Sequence, residues 1–516
     1  MKKLSFYIAS FIILGFSSCK TTRTSSAAKD DGKIDVTFLQ INDVYEIAPL
    51  QGGRVGGVAR VATLKKELLK QNPNTFLVIA GDFFSPSVYN SLKYEGKRIR
   101  GRQMVESLNA AGMDIAIFGN HEFDIAEQEF QDRIDESHFQ WVSSNSFRKT
   151  SSGVVPFSST GSGINHPIPE TYFINVKDAD GTTAKIGFLG LTLPFNKANY
   201  VSYSDPFSTA EKLYNQIKDS CDAVVAITHQ SQEDDSLLAI QLPKLAMIIG
   251  GHEHDMRFLK VGDVYISKAH ANAKSAYIIS LNINKNNGHL KVVPRLKMID
   301  ESIAIDSATN VVVQKWMSIG EKNYSSLGFD ATKIVREKGE PLEGRETEIR
   351  SRPTNLTRII ASAFEKAVSN ADLAIFNSGS IRVDDIVQMP VTQYDIIRSL
   401  PYGGSIMEVD MKGSLLQKVL EIGRNNVGSG GFLQYSAFVN YNPANKLWTI
   451  KNEAIQPEKV YHVAISDFLL TGGEANLGFL TIDNPDIVKV YSATKDIADS
   501  RSDIRLAIIR YMEALK

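Results

Sequence analysis

The chain has 516 residues, 43% hydrophobic and 22% charged, with 57 basic and 58 acidic side chains and a formal net charge of −1. That length allows two domains or more, and the charge balance argues against a nucleic-acid binder or a polybasic membrane surface. Only two cysteines exist, Cys19 and Cys221, so there is no internal disulfide framework.

The N-terminus starts Met-Lys-Lys, continues with the apolar LSFYIASFIILGFSS and reaches Cys19. A basic start, an apolar stretch and small residues make a secretory signal over residues 1–18. Cys19 after Phe-Ser-Ser resembles the lipobox of bacterial lipoproteins, where the signal is cut before a Cys that then carries lipid. Residues 19–32 are polar and aperiodic and read as a tether. The expectation is an exported chain in the periplasm or cell envelope, touching the membrane only through lipid on Cys19. No internal run is long enough for a transmembrane helix.

From residue 33 short apolar runs alternate with helical stretches. IDVTFLQIND (34–43) predicts a strand. GVARVATLKKELLKQ (57–71) predicts a helix, with Val58, Val61, Leu64 and Leu68 on one face. TFLVIAGD (75–82) predicts a strand, GRQMVESLNAAG (101–112) a helix and MDIAIFGNH (113–121) another strand. HFQWVSSN, AKIGFLGLT, DAVVAITH and LAMIIGGH predict more strands, and Cys221, just before the DAVVAITH run, reads as buried. Such alternation defines a layered α/β domain. A helical pattern over 307–327 predicts a connecting helix. Beyond it lie helices near 355–369, 412–422 and 503–515 and the strands LAIFNSG, SIMEVDM and VYHVAIS.

The strands of the first half end alike. Asp43, Asp82, Asn120 with His121, His229, and His252 with His254 each follow an apolar run. Sites in open α/β sheets form outside the carboxyl ends of the strands. Carboxylate and amide oxygens suit Mg²⁺, Mn²⁺ or Ca²⁺, and imidazole suits Zn²⁺ and other transition metals. Two metals sharing a carboxylate would use all these groups, clamp a phosphoryl ester and generate hydroxide near neutral pH.

IND (41–43), AGD (80–82), GNHEFD (119–124), ITH (227–229) and GGHEH (250–254) resemble the ordered motifs of the calcineurin-like metallophosphoesterases. GNHEFD with GGHEH is similar to their 5′-nucleotidase branch, which includes UDP-sugar hydrolases. NSGSIR (377–382), LPYGGS (400–405) and FLLTGGE (468–474) resemble that branch's C-terminal substrate-binding domain. The resemblance implies a four-layer α/β/β/α metallophosphoesterase domain (33–305), a linker helix (306–329) and a separate α/β substrate-binding domain (330–516). It also implies two divalent ions (Zn, Mn, Co, Mg or Ca) and a nucleotide or related small phosphate ester as substrate.

Carried over residue by residue, the resemblance makes Asp82 the bridging ligand. Asp43 and His254 would hold one metal; Asn120, His229 and His252 would hold the other. His121 would stabilise charge on the phosphoryl group, and Asp124 would orient it. Glu122 is expected at solvent or behind the ligands. Arg350 and Arg382 match phosphate and substrate contacts, Asn377 another substrate contact, Tyr402 and Phe468 a base clamp, and Glu474 the acidic residue for the ribose. Arg352 reads as a surface charge.

Three positions depart from the pattern. Tyr45 stands where the family has a His two residues after the first Asp, Ser378-Gly379-Ser380 replaces three glycines, and Glu474 replaces an Asp. The resemblance thus leads to an exported hydrolase of nucleoside 5′-phosphates, with nucleoside diphosphate sugars within reach, acting through a hydroxide on a metal pair. The alternatives are a 2′,3′-cyclic nucleotide or non-nucleotide phosphoesterase, and a nucleotide-binding lipoprotein weakened in catalysis by Tyr45.

Overall fold

The computed structural model describes residues 30–161, 163–196 and 198–515. The proposed signal, Cys19 and nearly all of the tether lie outside the described residues. Two six-stranded sheets form the first half. The first runs His289–Met298, Ser275–Asn284, Lys33–Ile41, Thr75–Ala80, Ile115–Ile117, Gln140–Val142. The second runs Thr171–Lys177, Thr183–Thr192, Ala223–His229, Met247–Gly250, Val264–Lys268, Arg257–Val261. The last four strands of the first sheet are parallel, as are the four central strands of the second. Strands covered on both faces read as continuous apolar runs, which is why they were legible.

The two sheets pack face to face. Phe38, Val78 and Ile117 of one share a core with Phe188, Val225, Ile227 and Ile249 of the other, and the rings of Phe38 and Phe188 meet edge-on at 5.8 Å. On the outer face of the first sheet, helix Val58–Gln71 buries Val58, Val61, Leu64 and Leu68, the stripe its spacing predicts. Helices Pro206–Ile217 and Gln232–Gln241 cover the second sheet. The result is four layers, α/β/β/α. The hairpin Ser275–Asn284/His289–Met298 and the strand Thr171–Lys177 were not among the predicted strands. Cys221, expected to be buried, is half-buried because it sits before its strand rather than within it.

Helix Ser307–Ser326 follows. Its buried Trp316 donates from Nε1 to Glu106 Oε2 at 3.0 Å on helix Arg102–Ala111. The C-terminal domain then builds a five-stranded sheet in the order Leu433–Tyr435, Leu373–Asn377, Val460–Ser466, Ile406–Lys412, Ile487–Val490. Helices Asn355–Ala367 and Ile504–Ala514 pack on one face through Ile360, Phe364 and Ile508. Helix Gly413–Asn425 packs on the other through Leu416, Val419 and Leu420. Among the described residues no helix is long and apolar enough to cross a membrane.

Polar contacts tie the two halves together. Lys274 Nζ pairs with Asp385 Oδ1 at 2.9 Å, and the Tyr394 hydroxyl donates to the buried carboxylate of Glu46. Burial pushes the Glu46 carboxyl up to about 7, against the pull of the Tyr394 hydrogen bond and the Arg398 charge. A carboxyl raised on folding stabilises the fold below its unfolded value and loses that contribution as pH climbs through the folded one. Between pH 4.5 and 7 this group should therefore cost the native state up to roughly 3 kcal/mol. Urea unfolding of wild type and Glu46→Gln across that range checks it: the wild-type curve should fall with pH relative to that of the variant.

Candidate functional site: a carboxylate and imidazole cluster at the strand ends

The parallel strands of both sheets deliver their carboxyl ends to one place. Asp43 and Asp82 each lie two residues past a strand, Asn120 lies three past Ile117, His229 closes its own strand, and His252 lies two past Gly250. Asp43, Asp82, His252 and His254 all have positive φ, between 53° and 96°. Non-glycine residues rarely adopt this region, and such strain concentrates at functional sites. The approach of the loops is close enough that a Cβ on Gly119 would lie 2.1 Å from Asp82 Oδ1.

Asp43 and Asp82 are fully buried. His229 Nδ1–H donates to the Ala80 carbonyl at 2.8 Å, which turns Nε2 toward the carboxylates, 3.0 Å from Asp82 Oδ2 and 3.9 Å from Asp43 Oδ1. His254 Nε2 lies 3.4 Å from Asp43 Oδ1, and its Nδ1 pairs with Asp384 Oδ2 of the C-terminal domain at 2.6 Å. His252 packs its ring against His229 at 5.3 Å and donates its backbone N–H to Asp43 Oδ2. The two imidazoles of His-x-His thus diverge to opposite sides of the cluster. Burial draws the His229 imidazolium down, but Asp82 and Asp43 outweigh it and push the ring up to about 9. Burial and the neighbouring His229 charge hold His252 at about 4. Burial resists ionisation of Asp43, yet His229 and His254 hold its carboxyl well below the usual range.

The donors fit a pair of divalent ions. Asp43, Asp82 and His254 offer ligand atoms all within 4.8 Å of one another. The buried Oδ1 of Asn120 has no hydrogen-bond partner, and the buried Nε2 of His229 makes no hydrogen bond of good geometry. Buried polar atoms seldom stay unpaired unless something else binds there. Mixed carboxylate, amide and imidazole donors suit Zn²⁺, Mn²⁺ or related ions. Tyr45 enters the same cluster, its hydroxyl 2.8 Å from His254 Nε2 and 3.4 Å from both Asp43 Oδ1 and Asp82 Oδ2.

Beside the cluster, His121 Nδ1–H donates to Asp124 Oδ2 at 2.6 Å. Asp124 is itself held by Ser85 Oγ at 3.1 Å and Asn196 Nδ2 at 2.7 Å. Burial lowers the His121 basicity, but Asp82 and Asp124 raise it above the ordinary histidine value. Of the two positions expected for Glu122, solvent or behind the ligands, the structure shows the second: it is fully buried. It accepts backbone N–H groups from Asp82, Phe83, Phe84 and Gly119 at 2.5–3.0 Å.

A cleft of about 540 Å³ opens over the cluster, walled by Asp82, His121, His252 and His254 on one side and Glu346, Arg382 and Asp384 on the other. The Glu346 carboxylate sits between two guanidiniums, paired with Arg350 and 3.7 Å from Arg382 Nη1. Asn377 Nδ2 donates to Glu474 Oε2 at 2.8 Å. Tyr402 lies near Arg382, ring to guanidinium 5.9 Å. Tyr402 and Phe468 are exposed, at 58% and 43%, and neither walls the cleft. Arg352 is an exposed surface residue paired with Glu348, as expected of a surface charge. Glu346 and Asp384 were missed in the sequence, since no motif sets them apart from other surface acids.

Cluster and cleft define a metal-dependent hydrolase of the phosphoesterase type. Residues 36–256 match the family described as calcineurin-like phosphoesterase, and residues 333–480 match the 5′-nucleotidase C-terminal domain. Bovine 5′-nucleotidase is 25% identical over 90% of this chain and 87% of its own. Snake venom 5′-nucleotidase of Naja atra is 22% identical over 86% of this chain and 91% of its own. The crystal structure of a 5′-nucleotidase precursor from Thermus thermophilus superposes with a TM-score of 0.66 at 20% identity, covering 94% of this chain and 97% of the other, and so shares the fold. The chain belongs to the 5′-nucleotidase family of metallophosphoesterases, with a calcineurin-like phosphoesterase domain followed by a 5′-nucleotidase C-terminal domain.

Glu122→Gln replaces an all-acceptor carboxylate with an amide that has one acceptor oxygen, leaving buried N–H groups unpaired at roughly 1–3 kcal/mol. Denaturant unfolding should register that loss, and metal content after dialysis should fall with it as the Asp82 loop loosens.

Proposed function

We propose that the chain is an exported, lipid-anchored phosphoesterase that hydrolyses nucleoside 5′-phosphates to nucleoside and phosphate. The observation that carries this reading is one cleft in which Asp82, His121, His252 and His254 face the Arg382 guanidinium from the other domain, with the buried Asp43, the partnerless Oδ1 of Asn120 and His229 in the cluster behind it. In this reading residues 1–18 are removed, Cys19 carries lipid, residues 19–32 are a tether, and the domains are 33–305 and 330–516 about a linker at 306–329. Exported relatives such as the snake venom enzyme support the export.

Asp43, Asp82 and His254 would hold one divalent ion, and Asp82 with Asn120, His229 and His252 would hold the other. Bound there, the ions supply Lewis acidity and lower the pKa of the attacking water. The remaining work falls to protein side chains. His121 lies beside Asp82 with its Nδ1 proton on Asp124, so Nε2 is free to stabilise or protonate the leaving oxygen. Asp124 holds that tautomer and raises the basicity of the ring. Arg382 and Arg350 hold the phosphate in place of Glu346, each through a planar fork that donates two hydrogen bonds. Asn377 and Glu474 hold the ribose side, and Tyr402 and Phe468 offer faces on which a base stacks, worth roughly 1–3 kcal/mol.

The test is phosphate release from 5′-AMP, 5′-UMP, UDP-glucose and 2′,3′-cyclic AMP, with Zn²⁺, Mn²⁺, Co²⁺ or Mg²⁺ added. The 5′-monophosphates should be turned over fastest; a lead for the cyclic substrate would move the assignment within phosphoesterases, and no turnover of any ester would end it. Asp124→Asn should cut kcat by roughly 10²-fold with KM little changed. Arg382→Ala should instead raise KM by roughly 10–100-fold, through loss of a charge-assisted hydrogen bond.

A further inference from the structure

Tyr45 is 7% exposed and fixed from several sides. Its backbone N–H donates to Asn272 Oδ1 at 3.0 Å, and its ring stands edge-on to His254 at 5.3 Å. Its hydroxyl lies within 3.4 Å of an atom of each of Asp43, Asp82 and His254. Those three already present ligand atoms within 4.8 Å of one another. The phenol oxygen therefore completes a buried cup of three oxygens and one nitrogen. Asp384 holds the far nitrogen of His254 at 2.6 Å, which keeps Nε2 turned into the cup.

Charge decides which ion suits such a cup. As a neutral phenol, Tyr45 is a weak donor beside two carboxylates. As a phenolate it brings the set to three anionic oxygens and one neutral imidazole. Hard, highly charged cations favour anionic oxygen donors, and a bound cation removes the proton from an acid that coordinates it. The neighbouring donors Asn120, His229 and His252 share Asp82 and add no further negative charge, the composition of a divalent site.

We propose that Tyr45 is a metal ligand and that the Asp43, Tyr45, Asp82 and His254 cup takes a trivalent, oxygen-seeking cation, ferric iron being the probe, beside a divalent ion. This rests on the phosphoesterase reading for the existence of the metal pair and adds to it the fourth donor and the charge of one ion. On ligation the phenolic proton passes to solvent water and an oxygen lone pair forms the new bond; no electron is transferred, because the ion is supplied in the ferric state.

The full-length protein is stripped with chelator, reloaded with ferric citrate and zinc, and desalted. Metal content and visible absorption are then read. The wild type should retain one iron per chain and show a phenolate-to-iron charge-transfer band that zinc-only protein lacks. Tyr45→Phe should lose the band and bind iron at least roughly tenfold more weakly, with its circular dichroism unchanged. Tyr45→His should also lack the band and favour zinc in both sites; it carries the same comparison if Tyr45→Phe does not fold. Iron retained by wild type without a band, a band that survives in Tyr45→Phe, or failure to hold iron against equimolar zinc would each overturn the proposal. Phosphate release is measured separately on zinc- and manganese-loaded protein. Turnover without the band removes the tyrosinate ligand alone, and the band without turnover of any ester removes the phosphoesterase reading alone.

Discussion

A single buried carboxylate holds the site together. Glu122 accepts backbone N–H groups from two separate loops, Asp82 to Phe84 after one strand and Gly119 after the next. Asp82, Asn120 and His121 all hang from those loops. Charge-assisted bonds of this kind are about twice as strong as neutral ones, and four of them converge on a group that water does not reach. The burial that makes the bonds strong also acts on the carboxyl itself. Desolvation and the nearby Asp82 push it up to about 7, against the backbone N–H groups that favour its ionised form.

Around that anchor the loops are compressed and strained. Four of the proposed ligands occupy left-handed backbone, and at Gly119 there is no room for even one methyl group. Such conformations cost of order 1–3 kcal/mol each and persist where the surroundings over-determine them. Here the two-sheet core supplies the constraint, since Phe38, Val78, Ile117, Val225, Ile227 and Ile249 fix the strands from which the loops emerge. Precision at the cluster is thus inherited from apolar packing several residues upstream.

Much of this was legible in the sequence because parallel buried strands are apolar runs and their polar terminators stand out. Asp43, Asp82, Asn120, His229, His252 and His254 could be picked by position alone, and the helix stripe Val58, Val61, Leu64, Leu68 by its spacing. The misses have physical causes. Glu122 could not be placed more closely than at solvent or behind the ligands, because its partners are backbone N–H groups, which carry no sequence signal. Asp384 acts across the domain boundary on His254, and no local pattern encodes a partner over a hundred residues away. Glu346 stays within its own domain, where pairing with Arg350 four residues on looks like an ordinary helix-surface ion pair. The edge hairpin Ser275–Asn284/His289–Met298 has one half-exposed strand, His289–Met298, whose alternation is diluted by Lys and Pro.

The Asp384–His254 pair has a consequence for modularity. Every donor atom facing the cluster comes from the first half of the chain, so that half looks like a self-sufficient catalytic module. Yet the orientation of one of its imidazoles is held by a carboxylate from the second half. A fragment ending before residue 330 would keep the donors and lose the brace, exchanging Asp384 for water at Nδ1. The two halves are therefore partners in assembling the inorganic centre as well as in gripping a substrate, and swapping either for a homologous half would carry that requirement with it.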